Sequence, residues 1–335
     1  MPGERDLVSL PKVELHVHLE GSMRAPTVVE LADRYGVALP EGLRDGRYGF
    51  RDFRHFIDEW LAGLACLRAP EDLRRIALEF CEDEAAQGVR YAEVSFSLPD
   101  HAERLDDPDA ALEAVLDGLA AGERASGIVC RVYVDVVRGI DLERSRDAMR
   151  AAVRHRDRGV IGIGLGGEER FPPETYADIF REAREAGLRS IPHAGETHGP
   201  GSIRGALQAL GADRIGHGIR ILEDPELVAE VRDRGIGLDV CPTSNAMTRS
   251  VPSLVEHPLP RMLEAGLLVT LNSDDPSMFG PWLSDEYAAV RDVFGLDDVA
   301  LARLAGNGVR ASFADDGARA ELDRAIQAWL ASPGV

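Results

Sequence analysis

The sequence predicts an α/β fold, a parallel (β/α)8 TIM barrel with a helical insertion after its first strand and extra helices at its C-terminus. Eight short apolar, β-branched runs recur along the chain, as expected of strands buried on both faces. Helical patterns lie between these runs, and strands that alternate with helices favour a parallel sheet. Eight such units in succession favour a barrel over the alternative, an open doubly wound sheet. The predicted strands are Val13–Leu19, Val89–Ser97, Ile128–Arg138, Val160–Gly167, Arg189–Gly195, Arg214–Gly218, Gly237–Pro242 and Leu268–Asp275.

Start and stop signals delimit the helices that connect the strands. A proline in the first turn or a glycine just after the last turn marks several of them. The connecting helices predicted in this way are Pro70–Gln87, Pro173–Ala186, Asp224–Arg234 and Pro258–Ala265. After the eighth strand, the last barrel helix and terminal packing helices are predicted near Leu283–Phe294, Asp297–Leu304 and Ala318–Leu330.

A long helical insertion, at about residues 25–87, separates the first two strands. Long insertions are usually functional lids or extra packing layers. A lid over a ligand and a surface for a partner both remain open as interpretations. We find no repeat, low-complexity stretch or Pro/Ser linker, so we expect one domain over residues 1–335. The insertion also carries an aromatic cluster, Phe50, Phe53, Phe56 and Trp60.

The charge balance argues against several classes of function. Lysine and arginine total 38 and aspartate and glutamate total 58, which gives a net charge of −20. Nucleic acids and anionic membranes bind basic surfaces, so neither is an expected partner. Lys12 is the single lysine, and it precedes the first strand, away from the barrel end where active sites lie. Schiff-base catalysis, a Walker A site and a lysine-bridged binuclear metal site are therefore disfavoured.

Cysteine content and hydropathy predict a cytoplasmic location. The four cysteines form no C-x-x-C pair, and their low density is typical of reduced thiols, with a Cys66–Cys81 disulfide as the alternative. The N-terminal residues lack the apolar segment of a signal peptide. No apolar run approaches the ~18 residues of a membrane helix.

Ionisable side chains stand at the C-terminal ends of the predicted strands. In a barrel these ends meet at one mouth, which is where active sites of this fold lie. We therefore expect the side chains to converge there. They are His16, His18, Glu20, His193, Glu196, His217, Asp274 and Asp275.

Two of these histidines predict a metal site. His16 and His18 are two residues apart on a strand, so both rings point to one side, the barrel lumen. Two histidines in this pattern are often only surface or core residues, but these strands are otherwise apolar until their ends. His193 and Asp274 would complete a set of three nitrogens and one oxygen for zinc or another first-row divalent metal. A set without cysteine favours a catalytic over a structural metal.

Glycines and turns surround the remaining candidates. His217 lies between two glycines, either as a turn histidine or as a proton carrier close to bound water. Asp274-Asp275-Pro276 is either a capping turn or a metal ligand followed by a hydrogen-bond acceptor. His198 is near the predicted mouth and is ambiguous. The other histidines are expected to be surface or packing residues: His55, His101, His155 and His257.

A glycine run, Gly162–Gly167, matches the pattern G-x-G-x-x-G. Dinucleotide binding is disfavoured, because Glu168, Glu169 and two prolines follow where a helix should open, and the acids would repel a pyrophosphate. The glycines more plausibly let backbone N–H groups approach a neutral ligand.

Taken together, these motifs resemble the adenosine deaminase family of the amidohydrolase superfamily. The matching blocks follow the family order from residue 11 to about residue 287. They are Leu15-His16-Val17-His18-Leu19-Glu20-Gly21-Ser22, Tyr91-Ala92-Glu93-Val94, Pro192-His193-Ala194-Gly195-Glu196-Thr197, Ile215-Gly216-His217-Gly218, Cys241-Pro242-Thr243-Ser244-Asn245 and Ser273-Asp274-Asp275-Pro276.

The resemblance implies hydrolytic deamination at C6 of an adenine ring, with one zinc ion per chain held by His16, His18, His193 and Asp274. Zinc in such a set makes water nucleophilic near neutral pH. Attack at C6 places negative charge at ring N1, and Glu196 is suited to protonate N1 if burial keeps its carboxyl neutral.

The resemblance also implies roles around the purine. His217 would orient or deprotonate the attacking water, and Asp274 would accept a hydrogen bond from it. Asp275 would accept from N7 or the amino group, and the Gly167 N–H would reach N3. His18 is expected to contact substrate as well as metal.

Departures from the family pattern concern the substrate. Glu20 and Ser22 stand where adenosine deaminases usually have aspartate and alanine, next to the ribose 5′ end. This form resembles relatives that act on free adenine or on 5′-modified adenosines. Residues 242–249 are similar to the aminodeoxyfutalosine deaminase group, and the end of the second strand favours a nucleoside over a free base. Arg138 and Arg249 are candidates to pair with an anionic 5′ substituent. A non-catalytic barrel that binds zinc and purine is the alternative from another class.

Overall fold

A computed structural model describes residues 5–44, 50–105 and 107–332 of the chain. The predicted domain span and insertion include residues outside these ranges. Eight parallel strands pair in chain order, and helices surround them, which confirms the predicted (β/α)8 barrel with its helical insertion and C-terminal helices. The strands are β1 (Lys12–His18), β2 (Val89–Phe96), β3 (Val129–Val137), β4 (Val160–Gly166), β5 (Arg189–Ala194), β6 (Arg214–His217), β7 (Gly237–Val240) and β8 (Leu268–Leu271).

The helices form the outer layer and the insertion. Proline occupies the first turn of many of them, and the four-residue helices are single turns. The α-helices are α1 (Ala25–Tyr35), α2 (Glu41–Arg44), α3 (Phe53–Leu64), α4 (Pro70–Ala86), α5 (Leu98–Leu105), α6 (Pro108–Ser126), α7 (Leu142–Arg154), α8 (Ala177–Glu185), α9 (Pro200–Gly205), α10 (Pro225–Arg234), α11 (Pro242–Met247), α12 (Leu259–Glu264), α13 (Pro276–Phe279), α14 (Leu283–Phe294), α15 (Asp298–Ala311) and α16 (Asp316–Ala331). Short 3₁₀ turns lie at Glu20–Ser22, Arg156–Arg158, Pro173–Tyr176, Ile221–Glu223 and Leu254–Glu256, and a π turn at Ala206–Leu210.

The barrel closes between β8 and β1 through a short seam rather than a full ladder. The backbone N–H of His18 donates to the carbonyl of Asp274 at 2.8 Å, and the N–H of Asp274 donates to the carbonyl of His16 at 3.1 Å. Below them, the Leu15 N–H donates to Asn272 Oδ1 at 3.0 Å. The seam therefore joins the histidine pair directly to the acidic turn after β8.

Two predicted boundaries need correction. The strand predicted to end at Asp275 ends at Leu271, because the chain turns there to form the seam. The helix predicted to end at Leu304 continues to Ala311. It passes through Gly308 because this glycine lies against β1: a Cβ there would be 2.5 Å from Val13 Cγ2. Glycine often marks the end of a helix, but Gly308 lies within one and allows close packing against β1.

A buried ion network fills the barrel below the site. The Arg214 side chain is 1% exposed, and its Nη1 lies 2.6 Å from Glu93 Oε2 and its Nε 2.5 Å from Asp239 Oδ2. Its Nη2 also donates to the carbonyl of Leu15 at 3.0 Å. One guanidinium thus ties β6 to β1, β2 and β7.

Arg214→Met should lower the free energy of unfolding by about 3–5 kcal/mol, because it leaves two buried carboxylates without their cation. Urea unfolding followed by circular dichroism measures this loss. Arg181→Met is the matched control, since Arg181 also pairs with two carboxylates, those of Asp178 and Glu185, but is exposed. An equal loss in both variants would contradict the assignment.

The four cysteines are buried free thiols in this structure. The sulfur beside Cys81 is that of Cys130, at 3.4 Å, rather than that of Cys66. No helix within the described ranges is both long enough and apolar enough to cross a membrane.

Candidate active site

Four predicted metal ligands meet at the C-terminal mouth of the barrel. Asp274 Oδ1 lies 3.4 Å from His16 Nε2 and 3.2 Å from His18 Nε2. His193 Nε2 lies 3.3 Å from His18 Nε2. Ligand atoms ~2.0–2.1 Å from a tetrahedral ion are separated by about 3.3–3.4 Å, so these spacings fit one zinc ion.

The hydrogen bonding of the same four residues also fits a metal. Both ring nitrogens of His16 and Nδ1 of His193 are buried and have no hydrogen-bond partner among the described residues. Unpartnered buried polar atoms are costly, and a cation at the centre of the cluster would satisfy Nε2 of His16, which lies 3.4 Å from Asp274 Oδ1.

The charge states of His16, His193 and Asp274 suit metal binding, whereas His18 must lose a proton to bind a metal. Burial lowers the pKa of His16 to about 4, and burial with the neighbouring imidazoles lowers the pKa of His193 well below its usual value. Burial opposes the charge of His18, but Asp275 and Asp274 outweigh it and raise its pKa to about 10. Burial alone would raise the pKa of Asp274, yet the adjacent imidazoles of His16, His18 and His217 hold it well below its usual value. Neutral imidazole and carboxylate are the forms that bind metal.

Unusual backbone geometry presents two of the candidate residues. His217 and Asp274 have φ of 63° and 67°, a region that non-glycine residues seldom occupy. Such strain often concentrates at functional sites. Gly216, beside His217, makes room for a ring rather than for water: a Cβ there would lie 2.5 Å from His16 Cε1.

Glu196 is a buried acid beside the cluster. Its Oε1 accepts hydrogen bonds from Ser250 Oγ at 3.0 Å and from Asn245 Nδ2 at 3.3 Å, and its Oε2 lies 3.7 Å from His217 Nε2. Burial raises the pKa of Glu196 to about 8, and the nearby charge of Asp274 adds to the shift. Glu196 therefore retains a proton at neutral pH and can donate it.

His217 is held by an amide that the sequence did not single out as functional. Asn245 Nδ2 lies 3.2 Å from His217 Nδ1, and because an amide nitrogen only donates, the imidazole nitrogen accepts. This leaves His217 Nε2 facing Glu196 Oε2 at 3.7 Å and Asp274 Oδ2 at 4.0 Å. The pKa of His217 is lowered by burial, so the imidazole is neutral, and with Nδ1 accepting it carries its proton on Nε2, where it can orient a water molecule.

Two further polar residues that sequence reasoning missed fix the groups around them. Ser244 Oγ donates to Asp274 Oδ2 at 2.6 Å, which leaves Oδ1 for the cluster. Glu169 accepts the backbone N–H groups of Gly195, Glu196 and Thr197, each at 2.8 Å. Glu169, which the sequence suggested would only repel a phosphate, anchors the segment that carries Glu196.

A cavity of about 260 Å³ opens above the cluster. Helix α3 of the insertion covers one side, and the aromatic rings of Phe56 and Phe279 stack with centroids 4.9 Å apart. Most predicted site residues line this cavity: His18, Gly167, His193, Glu196, His217, Asp274 and Asp275. Other lining residues include Phe53, Phe56, Ile57, Trp60, Ser97, Asp100, Asp135 and Arg138.

Asp275 places an acceptor in the cavity wall. Its carboxyl is buried, and its Oδ1 has no hydrogen-bond partner among the described residues. Burial raises the pKa of Asp275 well above its usual value, against the lowering effect of His18. A Cβ at Gly21 would lie 1.8 Å from Asp275 Oδ1, so this position must be glycine.

Glu20 does not line the main cavity. Its Oε1 accepts a hydrogen bond from the Ser97 N–H at 2.9 Å and lies 2.9 Å from His101 Nε2. His101, expected at the surface or in packing, is fully buried and binds this acid. Glu20 is therefore connected to the cavity through its hydrogen bond with Ser97, which lines the cavity.

The two arginines considered for an anionic substituent are placed differently. Arg138 lines the cavity, but its guanidinium donates to the carbonyls of His193 at 2.8 Å, Gly167 at 3.3 Å and Leu165 at 3.4 Å. Arg249 lines a separate cavity of about 460 Å³, on the other side of Glu196. The structure does not bring these arginines together.

A parallel barrel with an imidazole–carboxylate cluster, a buried acid and a histidine at the C-terminal ends of its strands is the architecture of an enzyme. The adenosine deaminase sequence model matches residues 11–329. An aminodeoxyfutalosine deaminase from Streptomyces coelicolor is 43% identical, over 97% of this chain and 87% of its own length. An adenine deaminase from Rhodospirillum rubrum is 38% identical, over 96% of this chain and 97% of its own. The chain belongs to the adenosine deaminase family and is a hydrolytic deaminase that acts on C–N bonds of cyclic amidines.

Solved structures agree with this assignment. The crystal structure of an adenine deaminase from Arthrobacter aurescens has a TM-score of 0.88 and 34% identity, and covers 96% of this chain and 99% of its own. An amidohydrolase from Burkholderia ambifaria, solved with bound Zn, has a TM-score of 0.89 and 31% identity, and covers 99% of each chain.

Proposed function

We propose that this protein is a zinc-dependent deaminase of adenosine or a 5′-modified adenosine, which produces the 6-oxo purine and ammonia. The observation that carries the proposal is Glu196, a buried carboxyl whose pKa of about 8 leaves it protonated, 3.7 Å from His217 in the wall of the cavity above the cluster. A buried acid beside an imidazole that orients water suits the addition of water across a C=N bond.

His16, His18, His193 and Asp274 would hold one zinc ion per chain. Bound zinc supplies Lewis acidity, which makes a water molecule nucleophilic near neutral pH. Their spacings of 3.2–3.4 Å and the unpartnered nitrogens of His16 support this set.

The side chains then divide the proton transfers. His217, with its proton on Nε2, orients the attacking water, while Glu196 gives its proton to N1. Oxygen adds to C6, one proton of the water passes to the 6-amino nitrogen and the other restores the acid form of Glu196, and the C6–N bond breaks to release ammonia. Asp274, through the oxygen facing His217, accepts a hydrogen bond from the water.

Purine orientation would come from the cavity walls. Asp275 faces N7 or the amino group with its unpartnered Oδ1; its raised pKa keeps a proton that it donates to N7, and the same carboxyl can accept from the amino group. The Gly167 N–H donates to N3, and the left-handed φ of 87° at Gly167 turns this part of the backbone into the cavity wall. His18 lines the same cavity and is available to the sugar.

A second candidate substrate is aminodeoxyfutalosine, because the 43% identical relative is named for it, and a third is free adenine, as in the relative from Rhodospirillum rubrum. The cavity lining favours a neutral 5′ end. Arg138 is occupied by three carbonyl groups, and the carboxyls of Asp100 and Asp135 line the same cavity. A non-catalytic binding barrel would have no need of Glu196 and His217 beside the cluster.

Ultraviolet absorbance with zinc-loaded protein tests this, since conversion of the 6-amino to the 6-oxo purine changes the spectrum. The panel contains adenosine, 2′-deoxyadenosine, adenine, 5′-methyl- and 5′-carboxyalkyl-substituted adenosines. We expect the highest kcat/KM for adenosine or a neutral 5′-substituted adenosine. Preference for adenine or for a carboxylate-bearing nucleoside would reassign the substrate, and no turnover despite bound zinc would overturn catalysis.

A further inference from the structure

Asp135 is a buried carboxylate that the reaction scheme above leaves unused. It lies near the end of β3 and lines the cavity, although its side chain is only 1% exposed. No lysine or arginine of the described residues forms an ion pair with it. Within the part of the chain that the structure describes, the one basic group at ion-pair distance is His18, whose Nδ1 lies 3.7 Å from Asp135 Oδ2.

Neighbouring strands are shaped to hold this carboxylate in place. Ser95 on β2 donates its hydroxyl to Asp135 Oδ2. On the other side, Gly164 on β4 is the register partner of Asp135, and a Cβ at Gly164 would lie 2.0 Å from Asp135 Oδ1. Part of the glycine run that the sequence suggested for ligand binding therefore accommodates a carboxylate of the chain itself.

The two ring nitrogens of His18 face different groups, the metal-ligand cluster and Asp135. Its Nε2 belongs to the cluster, 3.2 Å from Asp274 Oδ1, while its Nδ1 faces Asp135. A carboxylate at the second nitrogen of a metal-binding histidine fixes the tautomer and ring orientation and raises the basicity of the ligand nitrogen. The corresponding Nδ1 atoms of His16 and His193 have no hydrogen-bond partner among the described residues.

We propose that Asp135 is a positioning residue for His18. Its carboxylate accepts a hydrogen bond from the Nδ1–H group of His18 and so keeps the Nε2 lone pair directed at the zinc. This inference rests on the proposed zinc site but not on the identity of the substrate. Asp135 acts through His18, so its effect is on metal affinity and geometry first and on turnover second.

Asp135→Asn tests the proposal in the full-length chain. Zinc is removed with a chelator, and its dissociation constant is then measured by competition with a chromophoric chelator. We expect the zinc dissociation constant to rise about 10–100-fold, as is typical when such an outer carboxylate is lost. The visible absorption spectrum of the cobalt-substituted protein should also change, because it reports the ligand geometry and a merely structural role would not alter it.

Two further variants make the result decisive. Asp100→Asn removes another carboxyl that lines the same cavity but forms no ion pair with His18, so zinc affinity and the cobalt spectrum should stay unchanged. Ser95→Ala keeps the carboxylate and removes its hydroxyl donor, so it should weaken zinc binding less than Asp135→Asn. If Asp135→Asn lowers the melting temperature of the metal-free protein, Ser95→Ala provides the test in a folded background.

Wild-type zinc affinity and cobalt spectrum in both Asp135→Asn and Ser95→Ala would overturn the proposal, as would an equal loss of affinity in Asp100→Asn. Failure of the proposed function is distinguishable, because it would appear as absent purine turnover with zinc affinity and its dependence on Asp135 intact.

Discussion

Glu196→Gln should lower kcat for purine deamination by about 10²–10⁴-fold, the range typical for loss of a general acid. Glutamine has nearly the same shape, so the groups of Ser250 and Asn245 that contact Oε1 retain a partner. It carries no acidic proton, and N1 would have to accumulate negative charge during attack. Steady-state kinetics on the best substrate of the panel measures the effect.

The pH profile of kcat gives an independent signature of the same group. The pKa of Glu196 is raised to about 8, so the acid form required for catalysis is present below that pH and is lost above it. Wild-type kcat should therefore fall as the pH rises through about 8, and the residual rate of Glu196→Gln should lack this limb.

The matched control is Glu223→Gln. Glu223 lies on the other side of Glu196, in the separate cavity, where it pairs with Arg220 at 2.7 Å. It should keep wild-type kcat and pH dependence. A Glu196→Gln variant that retained its zinc and turned over within a few-fold of wild type would contradict the acid role.

The barrel and most of the cluster were predictable because both leave strong local signals. Apolar runs buried on both faces read as strands without any tertiary information. His16, His18 and His193 interrupt such runs at their ends, and the parallel arrangement brings those ends together. The same logic located Glu196, three residues after His193.

The supporting residues were not predictable, because their contacts depend on barrel closure. In the sequence, Asn245 and Ser250 are ordinary polar residues. They contact Glu196 only because the folded barrel brings the segments after β7 and β5 together. Asp135 sits inside an apolar strand, and its partner His18 is 117 residues away in the chain. His101 carries no local mark of its contact with Glu20.

The role of the insertion was also not predictable from the sequence. Its aromatic residues predicted either a lid or a partner surface, and composition alone does not separate the two. In the structure Phe53, Phe56 and Trp60 line the cavity, and Phe56 stacks on Phe279 of α13, directly after Asp275. The insertion therefore covers the candidate site, and only the tertiary structure reveals this arrangement.

Removal of zinc should abolish deamination and lower the melting temperature, and His193→Ala should abolish the effect of added zinc on both. Three imidazoles and a carboxylate meet in a buried cluster, and in the metal-free state the nitrogens of His16 have no hydrogen-bond partner among the described residues. A ligand that binds only the folded state adds about 2.7 kcal/mol of stability at a free concentration of 100 times its Kd. Calorimetry of chelator-treated and zinc-loaded protein measures this gain, and elemental analysis gives the zinc content.

His198→Ala is the matched control for that experiment, because His198 lies five residues further along the chain, after the end of β5, and is exposed. It should bind one zinc ion per chain and show the full rise in melting temperature. His193→Ala should show neither the rise nor turnover, because the site loses its ligand from β5 and only three of the four donors remain. Full zinc content in His193→Ala would show that the cluster does not hold the metal. Equal losses of zinc content in His193→Ala and His198→Ala would show that the whole segment between these residues, rather than one imidazole, determines binding.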